Sequence, residues 1–470
     1  MKSLPFFKGL SWLILLNLLV KPAWIFLVDR EVQNIVGHEA YGQYFALLNL
    51  SFVLFFLSDA GLTTMLTQRL AEKQTRVNTS ILLRFKLSLL ILYAAAMLLT
   101  AFVTGVSRWE FLYYIIAIQV LNSGFIFLRG MITAHQYFSA DAWFSVVDKL
   151  LMTLICGTMI YSMILGKIDL LRFLQVQLAC TAIAVIAATV FILSKKILHT
   201  HGESEKAGKI IIQITPFALI ILLMSLYTRA DGFLLERLHV NGAYEAGVYA
   251  AAFRLLEAGN MVGYLAASFL VPFIARNQQD GLLKNTVILT TRHALVAAAI
   301  MVSSFGFFFA PWLQEIMYRS ADLYNAQVIR LALIVLPASY LIHIYSSALT
   351  ATKQFAALIG ILAVTVVINL SLNFILLPYY GAEAAAWSAI ASQYFCGLAC
   401  FVLASKKLEI SYGTRSWMMY GLILIAFCSL FYFGKMVISN EWTILAMALL
   451  IVLLLLAFQY LRLKKHFISR

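Results

Sequence analysis

The sequence predicts an all-α polytopic membrane protein of about fourteen transmembrane helices, with two pseudo-symmetric six-helix bundles followed by two further helices. Three features of the chain lead to this fold class. Of its 470 residues, 62% are hydrophobic and only 12% are charged, a balance that lies outside the range of soluble globular proteins. Apolar blocks long enough to cross a hydrocarbon core of about 30 Å recur with short polar breaks between them. Motifs of the first half return in the second half.

Fourteen apolar blocks can be delimited, each longer than the shortest membrane-crossing helices of about 17 residues. They are residues 9–35, 41–70, 81–104, 110–133, 141–165, 170–193, 210–238, 243–275, 285–310, 324–349, 355–377, 382–404, 416–433 and 442–461. The start resembles a signal peptide, because lysines precede an apolar run. However, Lys21 and Pro22 interrupt that run and no small-residue cleavage site follows. We therefore expect a retained first helix.

The longest polar break predicts the domain organisation. Residues 195–209 form a basic linker between an N-terminal bundle, residues 1–194, and a C-terminal bundle, residues 210–404. Residues 405–470 then supply the two extra helices and a tail. Lys and Arg gather at alternate helix ends, and short cytoplasmic loops hold the excess of these residues. We therefore predict that both termini and the linker are cytoplasmic.

Most of the net charge of +14 is explained by this orientation signal, so we expect no nucleic-acid partner. The five cysteines all lie in apolar blocks, at spacings that suit neither a disulfide framework nor a zinc site. We interpret them as small core residues.

Three pairs of segments indicate that a unit of six spans is duplicated. Residues 36–44 and 240–249 both turn between two spans and both end in Gly-x-Tyr. Residues 133–138, Thr-Ala-His-Gln-Tyr-Phe, match residues 350–355, Thr-Ala-Thr-Lys-Gln-Phe. Asp29-Arg30 and Arg229-x-Asp231 lie near the ends of equivalent spans. Because six is an even number, the repeats are parallel, and a site is expected between them near the bilayer midplane.

Several of these motifs resemble those of the polysaccharide or O-antigen flippases (Wzx-type). That family belongs to a superfamily that also holds the lipid II flippase and the multidrug and toxin extruders. The resemblance rests on Tyr-Gly-Gln-Tyr at 41–44, Ser-Asp-Ala-Gly-Leu at 58–62, Asp231, Gly-Val-Tyr-Ala-Ala-Ala-Phe-Arg at 247–254, and the Asn-x-x-Leu-x-Pro-x-x-Gly turn that begins at Asn373. One departure is Ala384, which stands where the family often has a second glycine of this turn.

The resemblance implies a multi-pass protein of the bacterial inner membrane. It also implies flipping of an undecaprenyl-diphosphate-linked oligosaccharide, such as an O-antigen, capsule or exopolysaccharide repeat unit, from the cytoplasmic to the outer leaflet. Membrane lipids are expected partners, and other glycan-assembly proteins are candidate partners.

A headgroup of this kind carries a diphosphate and sugars through a medium that cannot hydrate them. A cavity lined by cations and aromatic rings would solve that problem, because guanidinium forks bind phosphate oxygens. The candidate substrate-binding residues are Lys21, Arg30, Arg129, Lys149, Arg229, Arg254 and Arg330. Structural ion pairs, such as Arg254 with Glu257 at i+3, and interfacial anchoring are the alternatives for these cations.

Four acids in apolar surroundings are candidates for coupling transport to H⁺ or Na⁺. They are Asp29, Asp59, Asp231 and Glu257. A carboxylate in such surroundings binds a proton or a cation more readily, but it serves equally as a salt-bridge partner. No other cofactor is expected.

Two other classes of function compete with a flippase. A membrane-embedded glycan polymerase should carry a sizeable outer loop with catalytic residues, whereas the longest outer break covers residues 311–323. We therefore expect no enzyme. A cation-coupled multidrug efflux antiporter shares the superfamily fold, but it should have an acidic cavity. Lys21 and Arg254 favour the flippase.

Overall fold

The computed structural model describes residues 4–72, 79–162, 166–197, 207–320, 322–410 and 413–468. These residues form helices joined by short turns, with no strand among them. Hydrocarbon cannot hydrogen-bond to a peptide group, so a chain this apolar satisfies its backbone within each helix. Eleven helices in the described ranges are long and apolar enough to cross a membrane. The all-α membrane fold is confirmed, whereas the count of fourteen spans stays a prediction.

Two of these eleven helices are interrupted by a glycine with positive φ. The helix over Trp12–Asp59 is interrupted at Gly37, with φ 82° and ψ 168°. The helix over Phe355–Leu408 is interrupted at Gly381, with φ 54° and ψ −131°. Glycine adopts positive φ readily because it has no β-carbon. Both breaks fall at turns that the sequence predicts between neighbouring spans, after residues 35 and 377.

The chain forms two compact units, Met1–Gly247 and Val248–Arg470. Their boundary lies inside the helix Gly242–Arg276, and not in the predicted linker at 195–209. The helix Ala207–Leu238, which follows that linker, packs against the helix Arg30–Leu54 of the first unit. The division of the chain into two six-helix repeats on either side of the linker therefore stays a prediction from the sequence.

Ten helices of the described residues precede that boundary helix. They are α1 (Leu4–Trp24), α2 (Arg30–Leu54), α3 (Phe56–Asp59), α4 (Leu62–Glu72), α5 (Thr79–Val103), α6 (Trp109–Ala134), α7 (Phe138–Phe144), α8 (Val147–Gly157), α9 (Leu170–Ser194) and α10 (Ala207–Leu238). Short π-helical turns, Ile25–Asp29 and Thr158–Ser162, follow α1 and α8. Such turns are frequent at functional sites, and the first of them ends at a predicted ion-coupling acid.

The second predicted span is broken where α3 ends and α4 begins. Ala60 has φ 49° and Gly61 has φ 83°. Gly61 is also required by packing, since a β-carbon there would lie 2.6 Å from the β-carbon of Phe217 on α10. Asp59 closes the break, because its Oδ2 accepts a hydrogen bond from the backbone N–H of Thr63 at 3.2 Å. A charged side chain is thereby fixed inside an otherwise apolar span.

The remaining helices begin with the one that carries the boundary. They are α11 (Gly242–Arg276), α12 (Gly281–Met317), α13 (Leu323–Ile334), α14 (Leu336–Ala351), α15 (Phe355–Leu408), α16 (Thr414–Val437) and α17 (Glu441–Ile468). Within the second unit, α12 packs against α13, α14, α16 and α17, and α14 packs along α15. Because α12 has neighbours on several sides, several polar residues on it, such as Arg292 and Ser303, are buried.

Candidate substrate and ion site

Two predicted ion-coupling acids are fully withdrawn from the surface of the first unit. Asp29, on the π-helical turn after α1, is 0% exposed, and Asp231 on α10 is 2% exposed. The Tyr41 hydroxyl donates a hydrogen bond to Asp29 Oδ2 at 2.8 Å. A carboxylate in such a place needs donors, a cation or a proton. The burial expected of coupling acids is therefore present at both positions, whereas their coupling role stays a prediction.

Asp59 pairs with a lysine that is absent from the candidates chosen by sequence. Lys86 of α5 is 1% exposed, and its Nζ lies 2.6 Å from Asp59 Oδ1 and 2.7 Å from Ser123 Oγ. The ring centroid of Phe127 lies 5.7 Å from the same Nζ. If one member of such a buried pair is removed, the other remains as an uncompensated buried charge, which strongly destabilises the fold. Asp59 therefore forms a salt bridge, which is the alternative to ion coupling that its sequence context allows.

Arg30, Arg129, Lys149 and Arg254 each lie beside a carboxylate. The pairs are Arg30 with Glu31 at 3.0 Å, Arg129 with Asp141 at 2.7 Å, Lys149 with Asp148 at 3.4 Å and Arg254 with Glu257 at 2.7 Å. The first three cations keep 20%, 24% and 20% of their side-chain surface exposed. An arginine has five N–H donors, so one ion pair leaves others for a second acceptor. Pairing and anion binding are therefore compatible at Arg30 and Arg129.

Aromatic rings lie beside four of the predicted cations. The distances from the cation to the ring centroid are 4.6 Å for Lys149 and Trp24, 4.6 Å for Arg229 and Phe52, 6.0 Å for Arg129 and Phe125, and 5.3 Å for Arg330 and Phe307. A ring face attracts a cation electrostatically, most strongly where water is excluded. These rings hold the charged groups in place within the spans.

Lys21 lies in the last turn of α1, next to Pro22, and is partly buried. Helix α1 packs against α8, which carries Lys149 and Asp148. The structure therefore brings together two helices that each contribute a predicted cation to the first unit.

In the second unit, Arg254 is 4% exposed and its Nη1 donates to Glu257 Oε2. This i+3 pair is the structural alternative that the sequence spacing allows for Arg254, and a role for Arg254 in a cavity stays a prediction. Arg330 on α13 donates from Nη1 to Gln327 Oε1 at 2.8 Å. Both arginines have an acceptor one turn away on their own helix.

Sequence reasoning missed two buried cations, Lys86 and Arg292. Lys86 is five residues after the predicted start of its span, where a lysine is easily interpreted as reaching back to the membrane surface. Arg292 is seven residues after the start of the span 285–310, too far in for that interpretation to be sufficient. The signal that would have found Arg292 is a cation about two helical turns inside an apolar block.

Among the described residues there is no group of three or more His, Cys, Asp or Glu that could hold a metal ion. The described residues provide partly exposed cations, aromatic ring faces and buried carboxylates. Cations bind phosphate oxygens, and buried carboxylates bind protons or monovalent cations.

A family model described as polysaccharide biosynthesis protein matches residues 6–278. The solved structure of the lipid II flippase MurJ in an inward closed conformation is similar, with a TM-score of 0.66 over 99% of this chain and 99% of that chain, at 11% identity. An inward-facing multidrug resistance MATE family transporter of the MOP superfamily gives a TM-score of 0.61 over 84% of this chain and 94% of that chain, at 14% identity. A MOP superfamily transporter from Pyrococcus furiosus gives 0.61 over 86% and 96%, at 13% identity. No curated protein matches the sequence.

At these identities the solved structures show a shared fold and nothing finer. They are flippases and transporters, not enzymes. The family model is independent of them and covers more than half of the chain. The resemblance that the motifs indicate is therefore confirmed: the chain belongs to the polysaccharide biosynthesis protein family and has the helical fold of MOP-superfamily transporters.

Proposed function

We propose that the protein is a flippase for an undecaprenyl-diphosphate-linked oligosaccharide, an O-antigen, capsule or exopolysaccharide repeat unit. It would carry this lipid across the bacterial inner membrane by alternating access through a cationic cavity, with both chain termini in the cytoplasm. The observation that carries the proposal is the polysaccharide biosynthesis family match over residues 6–278, in a fold shared with a lipid II flippase.

The partly exposed cations of the first unit support an anionic substrate. The prenyl tail of such a lipid can stay in the bilayer, but its diphosphate needs a substitute for water while it crosses. Arg30, Arg129 and Lys149 are accessible in part. They can therefore exchange a carboxylate partner for a phosphate oxygen without exposing a bare charge to hydrocarbon.

Energy would come from a gradient of H⁺ or Na⁺ acting on buried acids. Asp29 and Asp231 are the best placed of the four candidates, because both are almost completely withdrawn from the surface. Each of the four acids already has a partner in the fold, for example Lys86 beside Asp59 and Arg254 beside Glu257, so a coupling ion at any of them would compete with that partner.

Substitution of the predicted cations tests the proposal in proteoliposomes that contain a lipid-linked oligosaccharide. Lys21→Ala and Arg254→Ala should each slow flipping about tenfold, the effect of losing one charge-assisted hydrogen bond. Lys195→Ala, which removes an exposed cation, serves as the control and should flip at the normal rate. Melting temperatures of the purified variants separate a lost contact from a lost fold. Normal flipping by both variants would contradict the cationic cavity.

A multidrug efflux antiporter is the second candidate, because MATE transporters share the fold at TM-scores near that of the flippase. The same vesicles distinguish the two functions. An antiporter should move an organic cation against an H⁺ or Na⁺ gradient and leave the lipid-linked oligosaccharide in its original leaflet. The flippase proposal requires the opposite result.

A further inference from the structure

The proposed function does not use the break in the second predicted span. Helix α3 ends at Asp59, helix α4 begins at Leu62, and the two residues between them have left-handed backbone conformations, with φ 49° at Ala60 and φ 83° at Gly61. This conformation is unfavourable for alanine, because its β-carbon approaches the following carbonyl oxygen too closely. The surrounding structure therefore has to hold the break in place.

The second copy of the predicted repeat has no such break. The Gly-x-Tyr motifs align Gly42 with Gly247, and this alignment places Ala266 at the position equivalent to Gly61. Helix α11 continues through that position, from Gly242 to Arg276. A span of this kind can therefore form as one continuous helix, and the architecture does not require the break in the first copy.

One side chain connects the two sides of the break. Asp59 Oδ2 accepts a hydrogen bond from the backbone N–H of Thr63 at 3.2 Å, and Asp59 Oδ1 accepts one from the Thr63 hydroxyl. In a continuous helix the same N–H would bind the backbone carbonyl of Asp59, four residues earlier. At this turn α4 is therefore linked to α3 through a carboxylate and not through the helix backbone.

The same carboxylate is held from α5 and α6. Lys86 Nζ lies 2.6 Å from Asp59 Oδ1 and donates to Ser123 Oγ at 2.7 Å. The Ser123 hydroxyl donates in turn to the Ser58 carbonyl oxygen at 3.2 Å. Helix α3 is thus fixed to two neighbouring helices, whereas α4 is connected to this group of helices by Asp59 and by its packing on α6 and α10.

We propose that Ala60 and Gly61 are a hinge about which α4 moves during transport, and that the Asp59–Lys86 pair is a latch that holds α4 in the position seen here. Hinges are formed by a few residues at the ends of helices that absorb large changes of φ and ψ. In the predicted orientation α4 is the cytoplasmic half of its span, so its movement would open or close that side. The inference rests on the proposed function only because alternating access requires an element that moves.

The first test measures amide hydrogen exchange by mass spectrometry in the purified full-length protein, without substrate. Asp59→Asn combined with Lys86→Met removes the latch and leaves no unpaired charge. Exchange in residues 62–67 should become about tenfold faster than in wild type, because opening of this segment no longer breaks the ion pair. Equal exchange in wild type and in this double variant would overturn the latch.

The matched control is Asp148→Asn combined with Lys149→Met, which removes a carboxylate–lysine pair on α8. It should leave residues 62–67 exchanging at the wild-type rate, and α9 should exchange equally in all three proteins. If both double variants accelerate exchange in residues 62–67, the first unit has loosened as a whole and the latch is refuted.

A second test keeps the proposal falsifiable if the latch variant does not fold. A β-carbon on Gly130 of α6 would lie 3.1 Å from Thr67 Oγ1 of α4 and 2.7 Å from Thr63 Cγ2. Thr67→Cys combined with Gly130→Cys therefore places two thiols in contact, and their disulfide would tie α4 to α6. The reduced form of the same protein is the control, because it contains the same close contact with Thr63.

The oxidised protein should flip a lipid-linked oligosaccharide in proteoliposomes about tenfold more slowly than the reduced protein, because the disulfide prevents α4 from moving. Equal rates for the two forms would refute the movement of α4. If wild type itself flips no lipid-linked oligosaccharide, the proposed function fails, and the hydrogen-exchange result then decides the hinge and latch by itself.

Discussion

Lys86 and Asp59 show how a charge can be kept inside an apolar span. The two side chains come from helices α5 and α3. The Ser123 hydroxyl of α6 accepts a hydrogen bond from Lys86 Nζ and donates one to the Ser58 carbonyl oxygen. A lone ion in a low-dielectric interior is very costly, whereas a hydrogen-bonded pair is tolerated. Removal of either partner therefore lowers the free energy of unfolding by more than the intact pair contributes to it.

Substitution of Lys86 by methionine should make this asymmetry visible. The variant leaves Asp59 unpaired and should lower the free energy of unfolding by about 3 kcal/mol. Lys149→Met, which breaks a partly exposed pair, should cost about 1 kcal/mol or less. Denaturant titration of the purified variants in detergent measures both values.

The double variant Asp59→Asn with Lys86→Met is the corresponding control, because it removes both charges. It should recover most of the lost stability. The single variant Asp59→Asn is measured as well. If the free energy of unfolding lost by the double variant equals the sum of the losses of the two single variants, Lys86 contributes through packing and not through its charge.

Two glycines explain why the Gly-x-Tyr motif of the sequence recurs. A β-carbon on Gly42 of α2 would lie 1.8 Å from the Ala243 carbonyl oxygen, and one on Gly247 of α11 would lie 2.0 Å from the His38 carbonyl oxygen. Gln33 Nε2 adds a hydrogen bond to the Gly247 carbonyl at 2.8 Å. Small residues allow helix backbones in membranes to approach closely. The glycines of the repeated motif, Gly42 and Gly247, thus allow the backbones of two helices to approach closely within the first unit.

Alanine at Gly42 should disturb this contact. The added methyl group meets backbone atoms, which cannot rotate away, so the variant should lose about 1–3 kcal/mol of stability. Gly124→Ala in α6 is the control, because no atom lies within 4 Å of its β-carbon position. The control should be neutral or slightly stabilising. Equal melting temperatures for Gly42→Ala and wild type would contradict the close contact.

The basic residues predict the orientation of the chain in the membrane. A fluorescent protein fused after Arg470 should be bright, since it folds in the cytoplasm, and a periplasmic phosphatase at the same place should be inactive. Fusions after Ser320, in a predicted outer break, should give the reverse. A bright fluorescent fusion at Ser320 would show that the orientation inferred from the Lys and Arg bias is wrong.

Much of the fold and a smaller part of the site follow from local sequence. Long apolar blocks predict membrane helices because each helix satisfies its own backbone, and the breaks at Gly37 and Gly381 fall where polar turn residues predict them. The Arg254–Glu257 pair was equally predictable, since residues three apart share a helix face. The pairing of Asp59 with Lys86 was not, because these residues lie 27 positions apart in the chain, on different helices.

Hydrophobicity, helix length and the spacing of motifs are properties of consecutive residues, so the chain alone established the membrane class, the family and the candidate charges. Which charge meets which partner depends on how distant helices pack. Only the folded structure therefore revealed Lys86 beside Asp59, the buried guanidinium of Arg292 next to Gly413, and the contact between Gly42 and the first turns of α11. A buried charge acquires its meaning from the groups within a few ångströms of it.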